Sequence, residues 1–91
     1  MNKAIITVVG KDTVGIIAKV CTYLAQRGVN ILDISQTIVG GIFNMMMIVD
    51  ISALSEPFHE MADSLEKLGA EEIGVQIKVQ KEEIFDSMHR I

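Results

Sequence analysis

Residues 30–52 read NILDISQTIVGGIFNMMMIVDIS. Two apolar, β-branched runs meet at Gly40-Gly41, and paired glycines between strands supply the positive φ angles that a tight antiparallel hairpin needs. In the first run Leu32, Ile34 and Ile38 alternate with Asp33, Ser35 and Thr37, the pattern of a strand with one wet face. The second run is apolar at nearly every position, as in a strand covered on both sides.

Working outward, a helix is expected on each flank. Val14, Ile17, Val20, Cys21 and Leu24 form one helical stripe over residues 14–27, with Lys19, Thr22 and Gln26 opposite and Gly28 as the stop. After the hairpin, Ser55 is a candidate cap and Pro57 a first-turn residue. Phe58, Met61, Ala62, Leu65 and Leu68 then line an inner stripe that Gly69 should end. The outermost elements are strands: KAIITVV at 3–9, bounded by Gly10, and VQIKVQ at 75–80, with Val75, Ile77 and Val79 inward.

The order β-α-β-β-α-β reads as one β-α-β unit used twice, its helices closing on the similar stretches LAQRG and LEKLG. Right-handed crossovers turn this into an α+β, ferredoxin-like sandwich, a four-stranded antiparallel sheet in the order 4-1-3-2 with two helices on one face. The tail KEEIFDSMHRI, residues 81–91, is expected to be a short helix, with Ile84, Phe85 and Met88 available for packing.

That architecture leaves one sheet face without helices. Phe43, Met45, Met47, Val49 and Ile51 should face the helices. Ile5, Val9, Ile42, Met46 and Ile48 should lie on the open side, rimmed by Asp33, Ser35, Gln76 and Lys78. An apolar centre with a polar rim describes an interface, so a homo-oligomer, in the first instance a dimer, is expected. The second strand would be an edge with few protective charges, so side-by-side pairing competes with stacking. Consecutive methionines on a strand point to opposite faces, which argues against a thioether metal site at Met45–Met47.

Composition narrows the function. The 91 residues carry 8 Lys and Arg against 12 Asp and Glu, a net charge of -4. With no basic cluster at either end, a nucleic-acid partner is not expected. Phe43 is the one aromatic on the central strands, too few for a base-stacking platform. The apolar run before Gly10 is too short for a secretory h-region or a membrane span, so a cytoplasmic protein with no membrane partner is expected. Cys21, the single cysteine, falls on a helix stripe and reads as a small buried hydrophobe. His59 and His89 lack companions at ligand spacing, and no nucleophile has a base near it in sequence. No metal, cofactor or catalytic residue is expected.

The remaining candidate is GKDTVGI, residues 10–16. Asp12 stands where a Walker A loop would need a residue tolerant of phosphate, which argues against that reading. An α-amino acid suits the turn better: Asp12 can hold an ammonium while free N–H groups at Val14, Gly15 and Ile16 receive a carboxylate. The competing role is purely structural, with Asp12 or Thr13 as the helix N-cap, worth about 1 kcal/mol. Residues alone leave the two open. Asn30 likewise is either a turn residue after Gly28 or an amide offering a donor and an acceptor to a zwitterion.

GKDTVGIIAKVCTYLAQRGVNILDI resembles the opening of an ACT domain, whose pattern is Gly-x-Asp-Arg-Pro-Gly-Ile/Leu, a helix, then Gly-x-Asn-Ile. Gly10, Asp12, Gly15, Ile16, Gly28, Asn30 and Ile31 fit in order. The resemblance extends over residues 1–80, and the ending is similar to that of small stand-alone bacterial and archaeal ACT proteins; the chain also resembles the ACT halves of the glycine cleavage system transcriptional repressor. It implies an amino-acid sensor that works as an oligomer, with ligand at the subunit interface, lined by the loop that includes Asp12, Thr13, Val14, Gly15 and Ile16 and by Asn30. Thr13-Val14 stand where Arg-Pro is common. A regulated partner would be a separate protein. The alternative implied function is a ligand-free dimerisation and docking module.

Overall fold

The computed structural model describes residues 2–82. Seven elements follow in order: β1 (Lys3–Lys11), α1 (Ile16–Gln26), β2 (Asn30–Val39), β3 (Ile42–Asp50), α2 (Phe58–Lys67), a π-helical turn (Leu68–Ile73) and β4 (Val75–Lys81). The strands form one antiparallel sheet in the order β2-β3-β1-β4, the 4-1-3-2 arrangement expected from the β-α-β repeat. The expected tail helix lies outside the described residues beyond Glu82.

Alternation does most of the folding. Ala4, Ile6 and Val8 of β1, Met45, Met47 and Val49 of β3, and Val75, Ile77 and Val79 of β4 are all buried on the helix side. Against them pack Ile16, Val20 and Leu24 of α1 and Met61, Ala62 and Leu65 of α2, each at helical spacing. The helices are tied to each other by Tyr23, whose hydroxyl donates to the Met61 carbonyl at 3.3 Å. Arg27 lies 3.5 Å over the Tyr23 ring and pairs with Glu56 at 2.9 Å. Half-exposed, that ion pair contributes at most about 1 kcal/mol.

The hairpin forms as expected, with φ of 57° at Gly40 and 81° at Gly41. Five details differ. First, β1 runs through Gly10 to Lys11, because Gly10 is a contact glycine: a Cβ there would sit 2.7 Å from Val75 Cγ1. Second, α1 starts at Ile16, not at residue 14. Gly15 adopts a left-handed conformation with φ 91°, which breaks the helical path and leaves Val14 98% exposed instead of on the stripe. Cys21 is half-buried against the core, and burial pushes its thiol pKa up.

Third, β2 carries a bulge. Ile31 pairs with Val49 and Asp33 with Ile48, so Leu32 has no partner and Ile31 joins the helix side. Fourth, α2 is entered from Pro57 in an extended conformation, with no side-chain cap, so Ser55 does not cap it. Fifth, Gly69 does not end that helix. The chain continues through the π-helical turn to Gly74 at φ 87°, and Gly69 is buried where a Cβ would meet Ile77 at 2.7 Å. A bare backbone at Gly69 is what lets the widened turn lie on β4.

Candidate functional site

The end of β1 sets the site. Lys11 still pairs with Ile42, and the Asp12 N–H donates to the Gly41 carbonyl at 2.9 Å, fastening the loop to the hairpin tip. Thr13 and Val14 are then exposed, and Gly15 opens the helix by accepting from the Lys19 N–H at 3.0 Å. No side chain among the described residues caps α1. The cap role considered for Asp12 and Thr13 is therefore not the one they play: Gly15 occupies the cap position.

Two consequences follow for binding. Among the described residues nothing accepts from the N–H groups of Thr13, Val14 and Gly15, and the N–H of Ile16, in the first turn, has no intrahelical partner. Asp12, exposed, has no hydrogen bond or ion pair from its carboxylate among those residues. A carboxylate acceptor of positive charge thus stands one turn from a set of unspent donors at the positive end of a helix. The side chain of Ile16 is 2% exposed and belongs to the core, so only its backbone faces the loop. Gly15 is required by its φ; the nearest atom to a Cβ there is Lys19 Cε at 3.9 Å.

Asn30 is exposed but lies elsewhere. It pairs with Asp50, and Asp50 with Lys3, so it sits at the end of the sheet where β1 begins. The length of β1 separates it from Asp12, about 27 Å at the usual rise. One chain does not bring the two together.

On the open face the register puts Ile5 beside Ile48, Met46 beside Thr7 and Ser35, and Val9 beside Asn44 and Gln76. Val9, Ile42 and Met46 are exposed and Ile5 and Ile48 half-buried, so all five expected residues share that face. Sequence reading missed a groove of about 470 Å³ between α1 and the π-helical turn, lined by Lys19, Thr22, Tyr23, Gln26, Arg27 and Glu72 among others. The π-helical turn that forms its far wall has no local sequence signature. His59 is exposed on α2, and no group of three or more His, Cys, Asp or Glu residues among the described residues could hold a metal ion. No helix among them is long and apolar enough to cross a membrane.

Comparison with known proteins converges on one family. The model of the ACT domain matches residues 2–80. A UPF0237 protein of Bifidobacterium longum is 66% identical over the full length of both chains. Among solved structures, an ACT domain protein from Streptococcus pneumoniae superposes with a TM-score of 0.82 at 42% identity, covering 97% of this chain and 98% of that one. A candidate glycine cleavage system transcriptional repressor shares the fold, with a TM-score of 0.70 at 22% identity over 88% of this chain and 45% of its own. With the sheet order, the two helices on one face and the Gly10-to-Ile31 pattern all in place, the chain belongs to the ACT domain family, whose members are regulatory ligand-binding modules.

Proposed function

We propose that this protein is a cytoplasmic, non-catalytic regulatory module that binds an amino acid where two copies of the chain meet. The observation that carries the reading is the loop from Asp12 to Ile16: its carboxylate is not used as a cap and its backbone donors have no acceptor among the described residues. Asp12 would hold the ligand ammonium, and the N–H groups of Thr13, Val14, Gly15 and Ile16 its carboxylate. Asn30, which the family resemblance assigns to the site, can reach such a ligand only from a second chain set antiparallel to the first, and this supports a site shared within an oligomer. The ligand's effect would pass to a separate protein through the assembly, by a coupling of about 1–3 kcal/mol. A ligand-free docking module is the second reading, favoured by the apolar open face.

Thermal melting of dialysed protein against each of the twenty amino acids tests this. A bound ligand at a hundred times its dissociation constant adds about 2.7 kcal/mol. In a domain of this size each kcal/mol is worth roughly 4–8 °C. Asp12→Ala should abolish the rise while leaving the unliganded midpoint nearly unchanged, because the exposed Asp12 carboxylate has no hydrogen bond or ion pair among the described residues. If no amino acid raises the midpoint at millimolar concentration, the ligand reading fails and the docking reading stands.

A further inference from the structure

The open sheet face places like charges over each other in one self-stacked orientation and one opposite-charge pair, made twice, in the other. Its lysines lie on one half, Lys3 and Lys11 on β1 and Lys78 on β4; its aspartates lie on the other, Asp33 on β2 and Asp50 on β3. Between them runs the apolar band of Ile5, Val9, Ile42, Met46 and Ile48. Two copies can be laid face to face about a dyad in two simple ways. A dyad across the strands puts Lys78 over Lys78 and Lys3 over Lys11. A dyad along the strands puts β1 over β3 and β4 over β2 of the other copy. Lys3 then meets Asp50, Ile5 meets Ile48, and Gln80 meets Asp33, each contact made twice.

We infer that the open face is covered by a second copy of this chain, stacked with its dyad along the strands, so that each Lys3 opposes the other copy's Asp50 across an apolar centre. The sheet offers roughly 600 Å² per chain, from its four strands at about 4.8 Å spacing and its length. About 1,200 Å² in total reaches the lower bound for a specific interface. Sheets packed face to face cross at about 30°, and a lysine side chain is long enough to span the displacement this causes at the sheet ends. Like charges in the other orientation select against it. The stack keeps both Asp12 loops at the same end, so it shares no residue with the ligand loop.

Sedimentation velocity at micromolar concentration tests the stack on the full chain, with circular dichroism to confirm that each variant is folded. The wild type should sediment as a dimer or larger even-numbered species, and Met46→Lys, at a position 48% exposed, should halve the mass. Lys3→Glu alone and Asp50→Lys alone should each weaken association at least tenfold. Mixed in equal amounts they should recover it as a one-to-one complex, because both contacts between positions 3 and 50 are then again between opposite charges. A monomeric wild type, an unchanged mass in folded Met46→Lys, or a mixture no heavier than its components would each overturn the inference. An unchanged mass in folded Met46→Lys or a mixture no heavier than its components leaves the melting response of the Asp12 loop untouched, whereas a monomeric wild type would remove the shared ligand site as well.

Discussion

Met47→Ala is expected to lower the unfolding free energy by about 2–5 kcal/mol, while Met46→Ala one residue away, measured at concentrations too low for copies to associate, changes it by no more than about 0.5 kcal/mol. Met47 is fully buried, its strand neighbours Ile6 and Ile34 on either side, with the helices above. Truncation removes its transfer energy and leaves a cavity that two cross-strand ladders hold open. Met46 points to the other face beside Thr7 and Ser35 and is half-exposed. Domains of this length hold only about 0.05–0.15 kcal/mol per residue, so the first substitution removes a large share of the total. Urea denaturation of both variants, with unchanged slope, measures the contrast. Equal losses would mean that the β3 register is wrong by one residue.

Gly10→Ala is expected to cost about 2–3 kcal/mol, at the upper end for overpacking. The added Cβ would lie 2.7 Å from Val75 Cγ1 and 2.9 Å from Val75 Cα. A side chain can rotate away, but a backbone Cα moves only with its strand, so β4 must shift against β1. Gly41→Ala provides a control of different origin: nothing lies within 4 Å of its added Cβ, and its cost comes only from φ 81°. Amide exchange in Gly10→Ala should rise along β4 and stay low along β2 and β3. A neutral Gly10→Ala would remove the close approach of β1 and β4 from the account.

These two residues also show what the sequence discloses. Met45, Met46 and Met47 are separable by parity alone, because a strand alternates and the hairpin glycines fix the register from which parity is counted. The β-α-β repeat gives the sheet order for the same reason, since handedness leaves few topologies. Glycines are less legible. Gly28 stops a helix as expected, yet Gly69 in a similar context is buried against Ile77, and Gly10 lies inside a strand against Val75. Nothing near Gly69 or Gly10 in the sequence distinguishes a stop from a close approach, because the deciding partner is on another strand. Val14 and Ser55 fail similarly: each fits a local rule, and the backbone at Gly15 and Pro57 enters the helix by another route.

At the candidate site the loop was legible and its geometry was not. Asp12 and Gly15 stand out by type, but only the backbone shows that Gly15, and not Asp12, takes the cap position. The separation of Asp12 from Asn30 follows from topology, since β1 and β2 both pair antiparallel with β3 and so run in the same direction. Residues at the end of one and the start of the other must lie at opposite ends of the sheet. If Asn30 lines the site, as the family resemblance implies, this separation requires the ligand to be shared between copies.

The most direct measurement is an amide chemical-shift titration of stripped, isotope-labelled protein with the amino acid that raises its melting temperature most. The account predicts that the signals of Thr13, Val14, Gly15 and Ile16 move first and saturate together, with the Asn30 side-chain amide following the same curve. Shifts confined to the groove between α1 and the π-helical turn, with the loop unmoved, would contradict it.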